Sequence, residues 1–137
     1  MSAAVARAVM EATVNAYVDR INAGDAAGTI ALFAPDAVIE DPIGREPKAG
    51  DALTDWFADT VAYATQITPV APIRGSHADE ALLVFDVTFT PPGSPRLRIR
   101  SADAFRLRPD GLILSLRAFW GPEDLGPTRS ATASQID

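Results

Sequence analysis

In residues 96–107 the side chains alternate strictly enough to fix both a strand and the faces it presents. Leu97, Ile99, Ser101, Asp103, Phe105 and Leu107 fall on one side, and Arg96, Arg98, Arg100 and Arg106 on the other, because successive side chains of a strand point to opposite faces. Such a strand is half buried, with its apolar side on a core and its arginines toward water. Asp103 lies in the middle of the apolar side, with no lysine or arginine beside it on that face. A carboxylate there is costly unless it is paired, hydrogen-bonded or protonated. Either it answers a buried backbone or hydroxyl group, or it does chemistry in a cavity.

The same two-residue period runs through most of the second half. Leu83, Phe85, Val87 and Phe89 alternate with Val84, Asp86 and Thr88, and the Pro-rich break at residues 91–95 leads into the arginine-faced strand in hairpin fashion. Arg108-Pro109-Asp110-Gly111 predicts a second hairpin turn. Residues 112–120 then predict a last strand, with Leu114, Leu116, Ala118 and Trp120 on one face. Residues 65–73 are rich in β-branched side chains but broken by Pro69 and Pro72, which predicts an irregular or edge strand. Residues 75–79 read as a turn that leaves His77 exposed.

The first half is helical in period. Met10, Val14, Tyr17, Val18 and Ile21 recur at helical spacing within residues 3–22, and Gly24 ends that helix. Asp25 is an N-cap candidate for a short helix over 26–33, and Gly50-Asp51 opens a third carrying Leu53, Trp56, Phe57, Val61 and Tyr63. Between them, residues 37–41 read as a short strand in which Ala37, Ile39 and Asp41 share one face before Pro42. Asp41 is either a base at the floor of a pocket or the start of a solvated turn. Tyr17, on the apolar stripe of the first helix, is either plain core or a buried hydroxyl that needs a partner.

Composition narrows the function classes. A chain of 137 residues, 47% hydrophobic and 22% charged, fits one domain, expected over 1–123 with 124–137 as a flexible tail. A net charge of -6 argues against nucleic acid or anionic lipid as partner. Without cysteine there is no disulfide or thiolate chemistry, and the single histidine leaves no His-Asp-Ser triad unless it supplies the base. No cluster of histidines and acids suggests a metal site, and no glycine-rich loop suggests a phosphate. No apolar run approaches the roughly 20 residues of a membrane span. The expectation is therefore a cytoplasmic protein that meets a small or neutral partner.

Three helices followed by a meandering antiparallel sheet make an α+β layout. Helices across a curved sheet enclose a cone, into which Tyr17, Asp41 and Asp103 would point. The segments Tyr17-Val18-Asp19-Arg20-Ile21-Asn22-Ala23-Gly24-Asp25, Ala31-Leu32-Phe33-Ala34-Pro35-Asp36-Ala37 and Glu40-Asp41-Pro42-Ile43-Gly44 resemble the start of the Δ5-3-ketosteroid isomerases. Asp103-Ala104-Phe105-Arg106-Leu107, Asp110-Gly111 and Arg117-Ala118-Phe119-Trp120 are similar to their last hairpin. The resemblance spans about residues 10–123.

This resemblance implies an NTF2-like cone, with three helices on a curved and mainly antiparallel sheet, and a steroid delta-isomerase activity that uses no cofactor. It implies Asp41 as the general base that moves a proton from C4 to C6 of a 3-oxo-Δ5-steroid. Tyr17 and a protonated Asp103 would donate to the 3-oxygen of the dienolate. It also implies homodimers paired through the sheet. The apolar substrate would be walled by Trp120, Leu116, Phe85 and Phe57, with Ile21, Phe33, Leu83 and Val87 as further wall candidates. Phe33 and Phe57 stand where some members of that family carry tyrosines, and the segment around Phe57 is one residue shorter than usual. Two other classes share the cone: a binding module for hydrophobic ligands, and enzymes of the polyketide cyclase or epoxide hydrolase type. The arginines at 96, 98, 100 and 106 face away from Asp103, so no inward Arg-Asp pair favours a hydrolase.

Overall fold

The structure, a computed structural model, describes residues 4–128. Its elements follow the order α1 (Arg7–Asn22), α2 (Ala26–Ile30), β1 (Phe33–Glu40), α3 (Asp51–Ala62), β2 (Gln66–Pro69), β3 (Glu80–Phe89), β4 (Leu97–Leu107), β5 (Ile113–Phe119) and β6 (Leu125–Pro127). The expected α+β cone is present: three helices pack on one curved sheet of strand order β1-β5-β4-β3-β2, with β6 added to β4. All neighbouring strands are antiparallel except β1 and β5, which run parallel. No helix of the described residues is long and apolar enough to cross a membrane.

Local chemistry sets most boundaries. α1 buries Met10, Val14, Tyr17, Val18 and Ile21 along one stripe, and Gly24 follows its end in the left-handed region at φ 71°, where only glycine is unstrained. The side chain of Asn22, at the last turn, clamps the edge strand: its Nδ2 donates to the Ile67 carbonyl at 2.9 Å and its Oδ1 accepts from the Ile67 N–H at 2.6 Å. Asp25 caps α2 as expected, accepting from the Gly28 N–H at 2.8 Å. The helix is shorter than predicted, however, and stops at Ile30. Phe33 instead opens β1, which lines up beside β5 with Phe33 opposite Ile113; sheet pairing outweighs a weak local helix signal.

β4 keeps the alternation that its sequence demands. Ile99, Ser101, Asp103, Phe105 and Leu107 are all buried, whereas Arg98, Arg100 and Arg106 are exposed. On the outer face Arg100 makes a forked pair with Asp86, at 2.8 and 2.9 Å. Asp79, at the end of the expected turn, is buried and accepts from the Arg106 Nε at 3.0 Å. The predicted phase of β5 is off by one residue at its start. Register shifts between Arg106 and Leu107, an irregularity of the bulge type that flips the faces beyond it. Ile113 therefore points into the core, where it is fully buried, and Leu114 is only partly buried. Leu116 and Ala118 keep their inward places.

The ordered fold also passes the expected boundary at residue 123. Pro122–Asp124 form a 3-10 turn and Leu125–Pro127 add β6 to β4, pairing Leu97 with Pro127 and Ile99 with Leu125. Residues 129–137 of the expected tail lie outside the described residues.

The core between helices and sheet centres on Phe105, whose ring lies 5.2 Å from that of Tyr17 in a T-shaped contact and which has no exposed surface. Phe105→Ala is expected to cost about 3–5 kcal/mol, the usual cost of emptying a buried aromatic site. Urea unfolding measures it as a lower midpoint at unchanged slope.

Candidate functional site

A cavity of about 440 Å³ opens between α1, α3 and the concave face of the sheet, within the size range of small-molecule sites. Strand order explains how its acids meet. Asp103 on β4 lies between Leu83 of β3 and Ala118 of β5 as cross-strand neighbours. β1 flanks β5 on the other side, with Ile39 opposite Leu116 and Glu40 opposite Arg117. Asp41 follows at the end of β1, and the next turn is tied back by the Ile43 N–H donating to the Ala118 carbonyl at 3.0 Å. One backbone residue of β5, Ala118, thus touches both the strand of Asp103 and the turn after Asp41. Tyr17 approaches from α1, and all three side chains line the cavity.

Each of the three has a distinct environment. Asp103 is 2% exposed and receives the Ser101 hydroxyl at 2.8 Å. Burial, reinforced by the negative charge of Asp41, holds its carboxyl pKa well above the ordinary value, against the smaller opposing effect of Ser101. Asp41 is only half-buried and accepts from the Trp120 indole N–H at 2.8 Å. Burial raises its pKa too, but the Trp120 N–H and the positive charge of Lys48 pull it back. The anion is therefore better supported on Asp41 than on Asp103, and once Asp41 is ionised it discourages a second charge. Burial also raises the Tyr17 phenol well above its usual range, with further contributions from Asp103 and Asp41, so it stays protonated. Among the described residues its hydroxyl makes no hydrogen bond to protein, so the O–H is free for a ligand.

A cavity holding one carboxylate that accepts a proton and two neutral O–H groups that donate suits proton abstraction next to a carbonyl. The donors would stabilise the oxyanion that forms.

The wall is partly as predicted. Phe85 and Trp120 line the cavity, as do Ile21 and Val87. Leu116 and Phe57 do not: both are 1% exposed and belong to the packed core. Phe33 and Leu83 are core residues as well. Phe33 and Phe57 pack edge-on around Tyr17, with ring centroids at 6.2 and 6.1 Å. Where a tyrosine would offer a hydroxyl to Tyr17, these rings offer only apolar contact.

Several contributors escaped the sequence reading. Trp120 was expected as a wall and is also the hydrogen-bond donor to Asp41. Ser101 shares the inward parity of Asp103 two residues away, which was the available signal. Trp56 and Thr60 of α3 and Tyr63, which caps its C-terminus, line the cavity, a stripe at i, i+4 and i+7 beside the buried Leu53 and Phe57. Lys48, in the irregular loop before α3, carried no periodic signal. Among the described residues no group of histidine, cysteine and acidic side chains could hold a metal ion.

Known proteins similar to this chain share its fold and carry two different named activities. Residues 14–116 match the model of the SnoaL-like domain. The chain is 36% identical over 118 residues to a steroid Delta-isomerase of Nocardioides simplex, covering 86% of this chain and 94% of that protein. It is 37% identical over 112 residues to the epoxide hydrolase LasB of Streptomyces lasalocidi, covering 79% of this chain but only 40% of that longer protein. Among solved structures, the epoxide hydrolase/cyclase-like enzyme SalBIII, from pyran ring formation in salinomycin, superimposes with TM-score 0.79 at 29% identity, over 85% of this chain and 94% of SalBIII. The RV0760c protein of Mycobacterium tuberculosis, in complex with estradiol-17beta-hemisuccinate, superimposes with TM-score 0.77 at 24% identity, over 84% of this chain and 95% of its own. The last of these shows likeness of fold alone.

The electrostatics of Asp103 have a measurable sign. Its pKa is raised in the folded protein and ordinary in the unfolded chain, so between the two values the folded state holds a proton that the unfolded state has lost. The contribution of Asp103 to stability is then greatest below about pH 4, the ordinary carboxylate range, and declines as pH rises toward the folded value. Asp41 contributes with the same sign. Asp103→Asn cannot ionise, and it is expected to be more stable than the wild type at neutral pH and to show a flatter stability profile above pH 4. Thermal melts across pH test this, and profiles of equal slope would show that Asp103 is not a buried neutral acid.

Proposed function

The chain belongs to the SnoaL-like domain family, of NTF2-like fold, and on that premise we propose that it isomerises 3-oxo-Δ5-steroids to their conjugated Δ4 isomers. One observation carries the proposal: two carboxylates of unequal environment and an unpaired tyrosine hydroxyl converge in one apolar cavity. Ketosteroid isomerases are the standard example of a carboxylic acid kept neutral by an apolar site so that it can donate a hydrogen bond. The direction in which burial and Asp41 push Asp103 supports that role here.

In this mechanism the steroid ketone lies against Tyr17 and protonated Asp103. Asp41 removes a proton from C4, and the electron pair moves through C3 to the ketone oxygen, giving a dienolate that receives both hydrogen bonds. Asp41 then returns the proton to C6, and the electrons close the C4–C5 double bond as the carbonyl re-forms. The reacting groups carry one negative charge throughout, on Asp41 first and on the dienolate oxygen next, so Asp103 keeps its proton at each stage. Trp120 holds the Asp41 carboxylate in place through its 2.8 Å hydrogen bond. The apolar wall that includes Phe85, Val87 and Trp120 takes the ring system and excludes water, which strengthens every polar contact inside.

The curated epoxide hydrolase relative and the SalBIII neighbour favour a second reading. Opening an epoxide needs an acid at the ring oxygen and a base for the attacking hydroxyl or water, and Asp103 and Asp41 could divide those roles in the same way. The distinction lies in the substrate. Formation of a conjugated enone from a 3-oxo-Δ5-steroid is followed by ultraviolet absorbance, and conversion of a polyether-type epoxide to a cyclic ether or diol by mass spectrometry.

The isomerase reading expects enone formation without added metal or cofactor. Asp41→Asn should lose about 10²- to 10⁴-fold in rate as a missing general base, and Asp103→Leu about 10²- to 10³-fold as a missing oxyanion donor. Epoxide turnover with no enone formation would replace this reading by the second.

Family resemblance and surface chemistry support a homodimer through the outer sheet face. Leu82, Val84, Ala102 and Ala104 form an apolar strip beside Phe119, which is 51% exposed, and the Asp86–Arg100 and Glu40–Arg117 pairs flank it. Phe119→Glu is expected to convert a dimer into a monomer in light scattering, and a wild-type monomer would overturn the assignment.

A further inference from the structure

Two basic side chains reach the cavity with no salt-bridge partner among the described residues. Arg45 and Lys48, the only lysine of the chain, belong to the loop between β1 and α3, and both line the cavity. Most other described arginines are spoken for. Arg7, Arg100, Arg106, Arg108 and Arg117 pair with carboxylates, and Arg20 and Arg96 donate to carbonyl or hydroxyl oxygens. Of the basic side chains with no such bond among the described residues, only Arg45 and Lys48 line the cavity.

Their placement is built. Lys48 pairs through its backbone with Ile39, N–H to carbonyl at 2.9 and 2.8 Å in the two directions, and its ammonium sits over the Trp56 ring, 4.8 Å from the centroid. That contact holds a cation at a fixed place on an apolar wall without cancelling its charge. Arg45 is exposed three residues earlier. Of the carboxylates that line the same cavity, Asp41 is held by Trp120 and feels the positive charge of Lys48, Asp103 lies buried beside Ser101, and Asp59 is exposed on α3; none forms a salt bridge with either cation. In a chain of net charge -6, two cations without a salt bridge among the described residues, at the opening of an apolar cavity, make a local exception to a field that repels anions.

We propose that the mouth of this cavity is an anion-binding subsite. Its preferred ligand is a polycyclic ketone that carries a carboxylate, or a group of like charge, at the end opposite the ketone. The buried donors Tyr17 and Asp103 take the oxygen at the closed end, which leaves the charged end among Arg45, Lys48 and solvent. This rests on the proposed polycyclic ketone substrate, but it concerns binding and does not require turnover.

The test compares a 3-oxo-Δ4-steroid carboxylic acid with its methyl ester, measured as dissociation constants by calorimetry at neutral pH and low salt. The acid is expected to bind about five- to tenfold more tightly, the effect of one or two partly exposed ion pairs, and added salt should erode the preference. An Arg45→Ala, Lys48→Met double variant should bring the ratio close to one, and Lys48→Arg should preserve it. Equal binding of acid and ester by the wild type overturns the subsite, as does a preference that survives in the double variant. Failure of both ligands to bind overturns the subsite and the steroid reading together. A preference for the acid in a protein with no isomerase activity leaves the subsite standing and removes only the isomerase reading.

Discussion

Asp41 and Asp103 lie together in one apolar cavity, and the difficulty of placing a second negative charge beside the first organises everything around them. Asp103 is shielded by Leu83 and Ala118 on the neighbouring strands and by the helices above. Asp41 stands at a strand end with an indole N–H and a nearby ammonium to support its anion. The first proton therefore leaves Asp41, and the charge left behind helps keep Asp103 neutral. Environment alone gives two ordinary aspartates unequal affinities for a proton.

That inequality depends on strand order. Asp41 and Asp103 are far apart in sequence, and they meet because β5 lies between β1 and β4 and contacts both. The parallel pairing of β1 with β5 carries the chain toward the same end of the sheet as Ala118 and Trp120, where the Asp41 turn is fastened. An antiparallel meander could not do this from a strand that precedes α3. The core packs from the other side: Tyr17 is wedged among Phe33, Phe57 and Phe105, so the position of its hydroxyl is set by ring contacts and not by a hydrogen-bond chain. Edge-on aromatic contacts of this kind add to burial, and they supply no proton relay.

The breadth of the family follows from the same economy of parts. An acid, a base and a dry cone suit any reaction in which one oxygen gains negative charge while a proton moves nearby, and both a steroid isomerase and epoxide hydrolases stand among the relatives. What separates such activities is the shape and charge of the wall. Here the wall includes Trp56, Phe85, Val87 and Trp120, with Arg45 and Lys48 at its opening. The last strand also contributes, since Leu125 of β6 lines the cavity. A chain ending at residue 123 would leave that side open.

The alternation of β4 determined, without any coordinates, that Asp103 faces a core and that the arginines do not, because strand periodicity is a local property of the backbone. Helical period placed Tyr17 on the buried stripe of α1, and the Asp25 cap followed from side-chain chemistry within one turn. Only the tertiary structure decided the rest. The bulge beside Leu107 turned Ile113 inward, and pairing with β5 converted Phe33 from helix to strand. Packing sent Phe57 and Leu116 into the core while a second stripe of α3 faced the cavity. The bond from Trp120 to Asp41 and the place of Lys48 over Trp56 join residues distant in sequence, and no local pattern encodes a contact of that kind. A side chain's facing direction is written in its neighbours along the chain, whereas its partner depends on which strands and loops the fold brings together.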